Sequence, residues 1–354
     1  MAYSSITKPT DYFRAKLYTG NGGSQSITFD ETATNMQPDW VWIKKRNGSA
    51  DHSIMDVVRG VRKSLRSNST AADYTESSGL SAFDTNGFSF DGTGYNHVNT
   101  NSDTFAAWTW KAGGSASSNG DGSITSSVSV NTTAGFSIVS YTGTGSNATV
   151  GHGLGVAPKF IIVKNRDDAS KSWVTQITVL GNNYLELNNT NATFSGSTYF
   201  NNTAPTSSVF SVGTVGSTNA SSDDFIAYCF AEKKGYSKFG SYLGNGNANG
   251  TFVYTGFKPA WIMIKRSSHS GTSWEIRDNK RQPFPDGNAK RLFADDASAE
   301  SSNNEAVEKL SNGFKIRSTG GGHNTSGNTY IYMAFAENPF VGNVSGTAVP
   351  VTAG

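Results

Sequence analysis

A proline, an aromatic residue, an aliphatic run and a closing lysine occur in that order three times in this chain, at 38–44 (PDWVWIK), 158–164 (PKFIIVK) and 259–265 (PAWIMIK). Between 20 and 25 residues before each copy, an aromatic strand enters a Gly-rich turn: 13–22 (FRAKLYTGNG), 136–145 (FSIVSYTGTG) and 239–247 (FGSYLGNGN). After each copy comes an alternating segment around Phe88, Phe210 or Phe314, and then a closing strand at 105–110 (FAAWTW), 225–230 (FIAYCF) or 330–335 (YIYMAF). From the proline to that closing strand the distances are 67, 67 and 71 residues. Four landmarks held at constant spacing define a tandem repeat of one domain-sized unit.

Within a repeat, runs of four to eight residues alternate with clusters of Gly, Asn, Ser and Thr, and no long segment keeps a helical period. The expected fold is all-β, with three tandem antiparallel β-sandwich domains of jelly-roll or lectin-like type. The organisation reads as an N-terminal arm at 1–12, repeat 1 at 13–112, a linker at 113–134, repeat 2 at 135–234, repeat 3 at 235–340 and an extended tail at 341–354. Repeat 3 follows repeat 2 with almost no linker, so these two should pack together. One short helix is expected at 301–310. In the repeated strand, Trp40 and Trp42 point one way and Val41 and Ile43 the other, so both faces are apolar and the strand should be central. Its closing lysines (Lys44, Lys164, Lys265) and the arginines Arg46, Arg166 and Arg266 then mark where the chain re-emerges into solvent.

Composition excludes several function classes. The 29 basic and 27 acidic side chains leave a net charge of +2, which gives no drive toward nucleic acid or a membrane surface. No stretch approaches the length of a membrane span, so membrane insertion is not expected. The single cysteine, Cys229, lies between Tyr228 and Phe230 in an expected strand and reads as a buried, inert thiol. His52, His97, His152, His269 and His323 lack zinc-ligand spacing and read as loop residues. No nucleophile elbow, phosphate loop or dinucleotide fingerprint is present, so no catalytic residue and no cofactor is assigned. The adjacent pairs Asp167-Asp168, Asp223-Asp224 and Asp295-Asp296 point to opposite faces of a strand, which suits a Ca2+ loop or a solvated turn better than paired acid–base chemistry.

Two sets of residues remain as ligand-contact candidates. Asp56 and Arg59 in repeat 1 match Asp278 and Arg281 in repeat 3, where repeat 2 places Thr175 and Thr178; a local salt bridge is the alternative role. Trp173, Trp274, Tyr95, Tyr184 and Tyr199 lie outside the expected core strands, where an aromatic face would stack on a sugar ring. Trp173 and Trp274 are equivalent in repeats 2 and 3, which shared packing also explains.

The phrases TKPTDYF, LYTGNG, PDWVWIKKR, FIAYCFAEKKG, VYTGFKPAWIMIKR and YIYMAFAENPF together resemble triple-repeat virion proteins of tailed bacteriophages, especially those infecting marine bacteria. The resemblance spans nearly the whole chain. It implies a particle-associated protein, made in the bacterial cytoplasm and released by lysis, with no catalytic residues to carry over. The expectation is a non-enzymatic virion surface protein, a tail fibre or receptor-binding appendage facing host-surface glycan. A capsid decoration, cement or head-fibre protein is the alternative, and a glycan depolymerase the third reading. Both ends are poor in large apolar side chains, so other virion proteins are expected to order them, with the chain present as a homo-oligomer, a trimer.

Overall fold

The computed structural model describes all residues except 1–3, 5, 31–33, 283–288, 304–305, 339–340, 345–346 and 351–354. Each repeat forms two antiparallel layers. In repeat 1 the larger sheet runs in the order Phe13–Thr19, Thr104–Trp110, Trp40–Lys45, Ser53–Asp56, and the smaller one Gln25–Thr28, Gly87–Phe90, Leu80–Asp84. Repeats 2 and 3 keep the order of the larger sheet, with Phe160–Asn165 and Pro259–Arg266 in the place of Trp40–Lys45; the smaller sheet keeps three strands in repeat 3 and has two, Ala148–Gly151 and Val209–Val212, in repeat 2. The last strand of each repeat therefore lies between the first strand and the repeated one.

The alternation of the repeated strand divides the core into two kinds of interior. Val41 and Ile43 face the smaller sheet of repeat 1, as Ile161 and Val163 do in repeat 2 and Ile262 and Ile264 in repeat 3. Trp40 and Trp42, Phe160 and Ile162, and Trp261 and Met263 point the other way, into one cluster common to all three repeats. Ring centroids meet there across repeats: Trp40 to Tyr228 at 4.6 Å, Trp110 to Trp261 at 5.5 Å and Phe230 to Phe335 at 5.9 Å. Three sandwiches are thus closed around a single aromatic core, and burying those faces is the main favourable term holding the repeats together.

The Gly-rich turns have a steric cause. Buried Asn99, Asn219 and Asn324 each clamp one of them through side-chain amide bonds to carbonyls, such as those of Gly23, Ser146 and Asn247. The backbones approach so closely that a Cβ on Gly20, Gly143 or Gly244 would collide with the carbonyl of Thr100, Ala220 or Thr325. Gly22, Gly145 and Gly246 take φ of +76°, +72° and +68°, which glycine adopts without strain.

Several expectations are corrected. The segment 113–134 is not a free linker: Ser117–Asn119 and Ser126–Asn131 extend the larger sheet of repeat 2, with Val128 opposite Val139. Its Val-Ser alternation is a strand pattern hidden by a turn-like composition. Among the described residues of 301–310 no helix forms; Ser301–Asn303 and Ala306–Leu310 are strands, and Leu310 pairs with Gly313 across a two-residue turn, so a period of two prevails there. The arm docks on its own chain: Ile6 is buried in the common core, and the Ser4 hydroxyl donates to the Lys234 carbonyl at 2.9 Å. In the expected tail, Val341–Val344 pairs with Thr347–Pro350 as a hairpin.

Candidate functional site

The pairing register aligns the three edge strands, because Trp40, Phe160 and Trp261 lie opposite Asp56, Ile177 and Asp278. Repeat 2 therefore places Ile177 and Leu180, rather than Thr175 and Thr178, where repeats 1 and 3 have Asp and Arg. Both Asp–Arg pairs are fully buried and lie at junctions between repeats. Asp56 Oδ2 is 2.6 Å from Arg59 Nε and accepts the Tyr228 hydroxyl of repeat 2 at 2.8 Å. Arg59 continues to Asp73 at 3.2 Å, and Asp73 to Arg166 of repeat 2 at 3.0 Å. Asp278 Oδ2 is 2.6 Å from Arg281 Nε and accepts Trp108 Nε1–H of repeat 1 at 2.9 Å. Arg281 reaches Glu300 at 3.5 Å, and Arg46 of repeat 1 meets Glu300 at 2.9 Å. Burial raises Asp278, but Arg281 beside it outweighs this and holds the carboxyl below its usual range.

The third junction, between repeats 2 and 3, is apolar at the same positions. Ile177 and Leu180 replace the pair, and Met333 replaces the donor that Tyr228 and Trp108 supply. Donor and acceptor have been exchanged for hydrocarbon together, which leaves no orphaned polar group. The mixture also fixes the order of the ring: with neighbours exchanged, Asp56 would face Met333 and lose its donor.

A second set of contacts closes the ring in the same sense at all three junctions. Lys44 Nζ donates to the Ala297 carbonyl at 3.0 Å, Lys164 Nζ to Thr70 at 2.9 Å and Lys265 Nζ to Thr190 at 3.1 Å. These lysines do not re-emerge into solvent: all three are fully buried, and burial pushes their amines down to about 8, still charged at neutral pH. The arginines follow suit only in part, since Arg46 and Arg166 cross junctions while Arg266 bonds the carbonyls of His269 and Ser270 in its own hairpin.

Trp173 and Trp274 are fully buried in the common core, so neither offers a face to a ligand. Trp173 Nε1–H donates to the Arg66 carbonyl and Trp274 Nε1–H to Glu186, both at 2.8 Å and both across a junction. His52 holds this place in repeat 1: it accepts Trp42 Nε1–H on Nδ1 at 2.8 Å, and Nε2 bonds the Phe293 carbonyl of repeat 3 at 2.8 Å. Sequence reading missed His52. Aligning Trp173 and Trp274 onto repeat 1 would have found it; His52, His152 and His323 lie outside strands, as expected of loop residues, but all three are buried.

Burial, with Lys44 nearby, drops the His52 pKa from 6.5 to about 3. The unfolded chain therefore takes up the proton first, and this contribution to stability, complete above pH 6.5, is lost as pH falls toward 3, at up to about 1.4 kcal/mol per unit. A double variant, Trp42→Met with His52→Trp, reproduces the Met263–Trp274 arrangement of repeat 3. Urea unfolding from pH 7 to 4 should show a shallower loss of stability for it than for the parent chain.

Tyr184 is buried and Tyr199 packs on it with centroids 4.1 Å apart, both beneath the outer strand of repeat 2. The cross-strand pair Tyr184–Phe194 corresponds to Ser64–Tyr74 in repeat 1 and Arg291–Ser301 in repeat 3. One place in the fold thus carries three chemistries. Repeat 2 fills it with rings. In repeat 1 buried Glu76 accepts the Tyr74 hydroxyl at 3.1 Å, and burial pushes its carboxyl up to about 7. In repeat 3 Glu275 lies 2.9 Å from His323 and 3.6 Å from Arg291; burial raises it, but Arg277, His323 and Arg291 prevail and hold it at about 2. Tyr95, 57% exposed beside Tyr74, alone among the expected aromatics stands well into solvent.

The aspartate pairs serve turns: Asp295 accepts the Trp274 N–H, Asp296 the Ser298 N–H and Asp168 the Ser170 N–H. Among the described residues no group of three or more His, Cys, Asp or Glu is placed to hold a metal ion. Cys229 is buried, and burial pushes its thiol up. An open cleft of about 490 Å3 borders Gln37, Asp39, Lys111 and Gly114, where Asp39 accepts the Gly114 N–H and the Gln37 amide. The buried network of Asp56, Arg59, Asp73 and Arg166, that of Asp278, Arg281, Glu300 and Arg46, and the three buried lysines join one repeat to the next.

A ring of three β-sandwiches, closed head to tail by equivalent contacts within one chain, defines an all-β protein with internal threefold pseudosymmetry. The chain belongs to the family described as a domain of unknown function, DUF7483, which matches residues 8–339 and so takes the three repeats as one unit. No curated protein and no solved structure matches it.

Proposed function

We propose that this chain is a non-enzymatic surface protein of a tailed-bacteriophage virion, working as a tail-fibre or other receptor-binding appendage that contacts the host envelope. The observation that carries the reading is the resemblance of its repeated phrases, along nearly the whole chain, to triple-repeat virion proteins. The ring supports it physically. Its inner faces are consumed by its own repeats, which leaves loops and smaller sheets as contact surfaces on a rigid body. Docking on the particle is assigned to the C-terminal hairpin, because the N-terminal arm is already used within the ring. One chain supplies the threefold arrangement expected of three, so the trimer is not needed to bury the apolar faces.

The same pseudosymmetry favours a second reading, a decoration protein seated at a local threefold position of an icosahedral shell. Imaging intact particles with the chain marked by a bound antibody fragment decides between them. Density on the tail is expected; density on the head at threefold positions would replace attachment by decoration, and unlabelled particles would remove both.

A further inference from the structure

We propose that the outer face of the smaller sheet in repeat 3 is a stacking platform for a pyranose polysaccharide that carries carboxylate groups. Phe252 and Tyr254 stand on this face two residues apart on one strand, so their side chains rise about 7 Å apart on a common side. They are 42% and 56% exposed, while Val253 between them is buried in the sandwich. Repeats 1 and 2 have nothing comparable. Aligned through the cross-strand pairs Ile27–Phe88, Val150–Phe210 and Val253–Phe314, the equivalent residues are Ser26 and Thr28, then Thr149 and Gly151.

Gly313 lies opposite Tyr254, and a Cβ there would collide with the Val253 carbonyl at 2.1 Å and stand 3.1 Å from the Phe252 ring, so glycine lets the strands close and the ring lie over them. Lys315 lies directly opposite Phe252, and Glu308 continues the row. Arg317 pairs with Glu308 at 2.6 Å, which leaves Lys315 as the excess positive charge of the face.

A pyranose ring presents C–H groups on its faces and hydroxyls around its edge, which matches two aromatic faces bordered by hydrogen-bonding charges. A carboxylate on the sugar would meet Lys315. A second copy of the chain fits less well, since two exposed rings fall far short of the about 800 Å2 per partner of a specific protein interface. The proposal rests on the attachment reading, but its test uses the isolated protein, so failure here leaves the virion location to be judged by imaging.

Calorimetric titration of the full chain with oligogalacturonate and with a neutral cello-oligosaccharide of the same length tests it. Phe252→Ser with Tyr254→Thr, which copies repeat 1, should weaken both ligands by about tenfold or more. Lys315→Ser, also the residue of repeat 1 at Ser89, should weaken only the oligogalacturonate. Absence of binding of either sugar to the parent chain at millimolar concentration would overturn the proposal, as would unchanged affinity in the double variant. Equal losses for both sugars with Lys315→Ser would overturn the carboxylate assignment. A parent dimer that the double variant dissolves in sedimentation would give the face to a second copy instead.

Discussion

Replacing Asp56 by alanine should destabilise the protein by about 3–5 kcal/mol, because it takes from the fully buried Arg59 guanidinium the carboxylate 2.6 Å from its Nε. The Tyr228 hydroxyl loses its acceptor in the same step, and Asp73 is left as the one carboxylate shared by Arg59 and Arg166 at the junction between repeats 1 and 2. The protein itself contains the remedy. At the junction between repeats 2 and 3 the equivalent positions are Ile177, Leu180 and Met333. A triple variant, Asp56→Ile with Arg59→Leu and Tyr228→Met, should therefore recover most of the stability lost by the single change, since a buried ion pair is often replaceable by packed hydrocarbon of similar volume. Chemical unfolding of the four proteins, including Arg59→Leu alone, measures the coupling. Equal losses for the single and triple variants would mean that the pair matters through something other than charge burial.

Trp40→Ala should cost a comparable amount, about 3–5 kcal/mol, as large-to-small changes in packed interiors do. Its ring contacts Trp110 of its own repeat at 4.6 Å and, in repeat 2, Tyr228 at 4.6 Å, Phe136 at 5.7 Å and Phe230 at 5.8 Å. The cavity would open at the axis of the ring, between repeats rather than inside one sandwich. The loss should consequently fall on the whole molecule, visible as one thermal transition moved to lower temperature. A loss below about 1 kcal/mol would mean that the site collapses around the missing ring far more readily than packed cores do.

The architecture was legible wherever side-chain pattern sets it. The repeated strand announced two apolar faces, and the structure uses one for each sandwich and the other for the shared core. What the pattern does not state is which neighbour covers the second face. Trp173 and Trp274, outside the obvious core strands, read as equally fit for solvent or interior until the ring closes over them. Lys44, Lys164 and Lys265 misled for a related reason. A lysine at a strand end usually reaches water, but here the loop of the next repeat supplies carbonyl acceptors in its place. The Ser-Val strand at Ser126–Asn131 was hidden by composition, and the strand at Ala306–Leu310 by residues that suit a helix equally well. Nothing in the sequence singles out Phe252 and Tyr254, since exposure depends on which way an alternating strand is turned.

Three sandwiches share one core and so behave as one body, although the sequence writes them as three. Differential scanning calorimetry of the intact chain tests this most directly. A single transition whose calorimetric and van't Hoff enthalpies agree is the predicted result, because no repeat can leave the ring without exposing the tryptophans of the others. Three separable transitions, or a Trp40→Ala variant in which only one of several transitions moves, would contradict it.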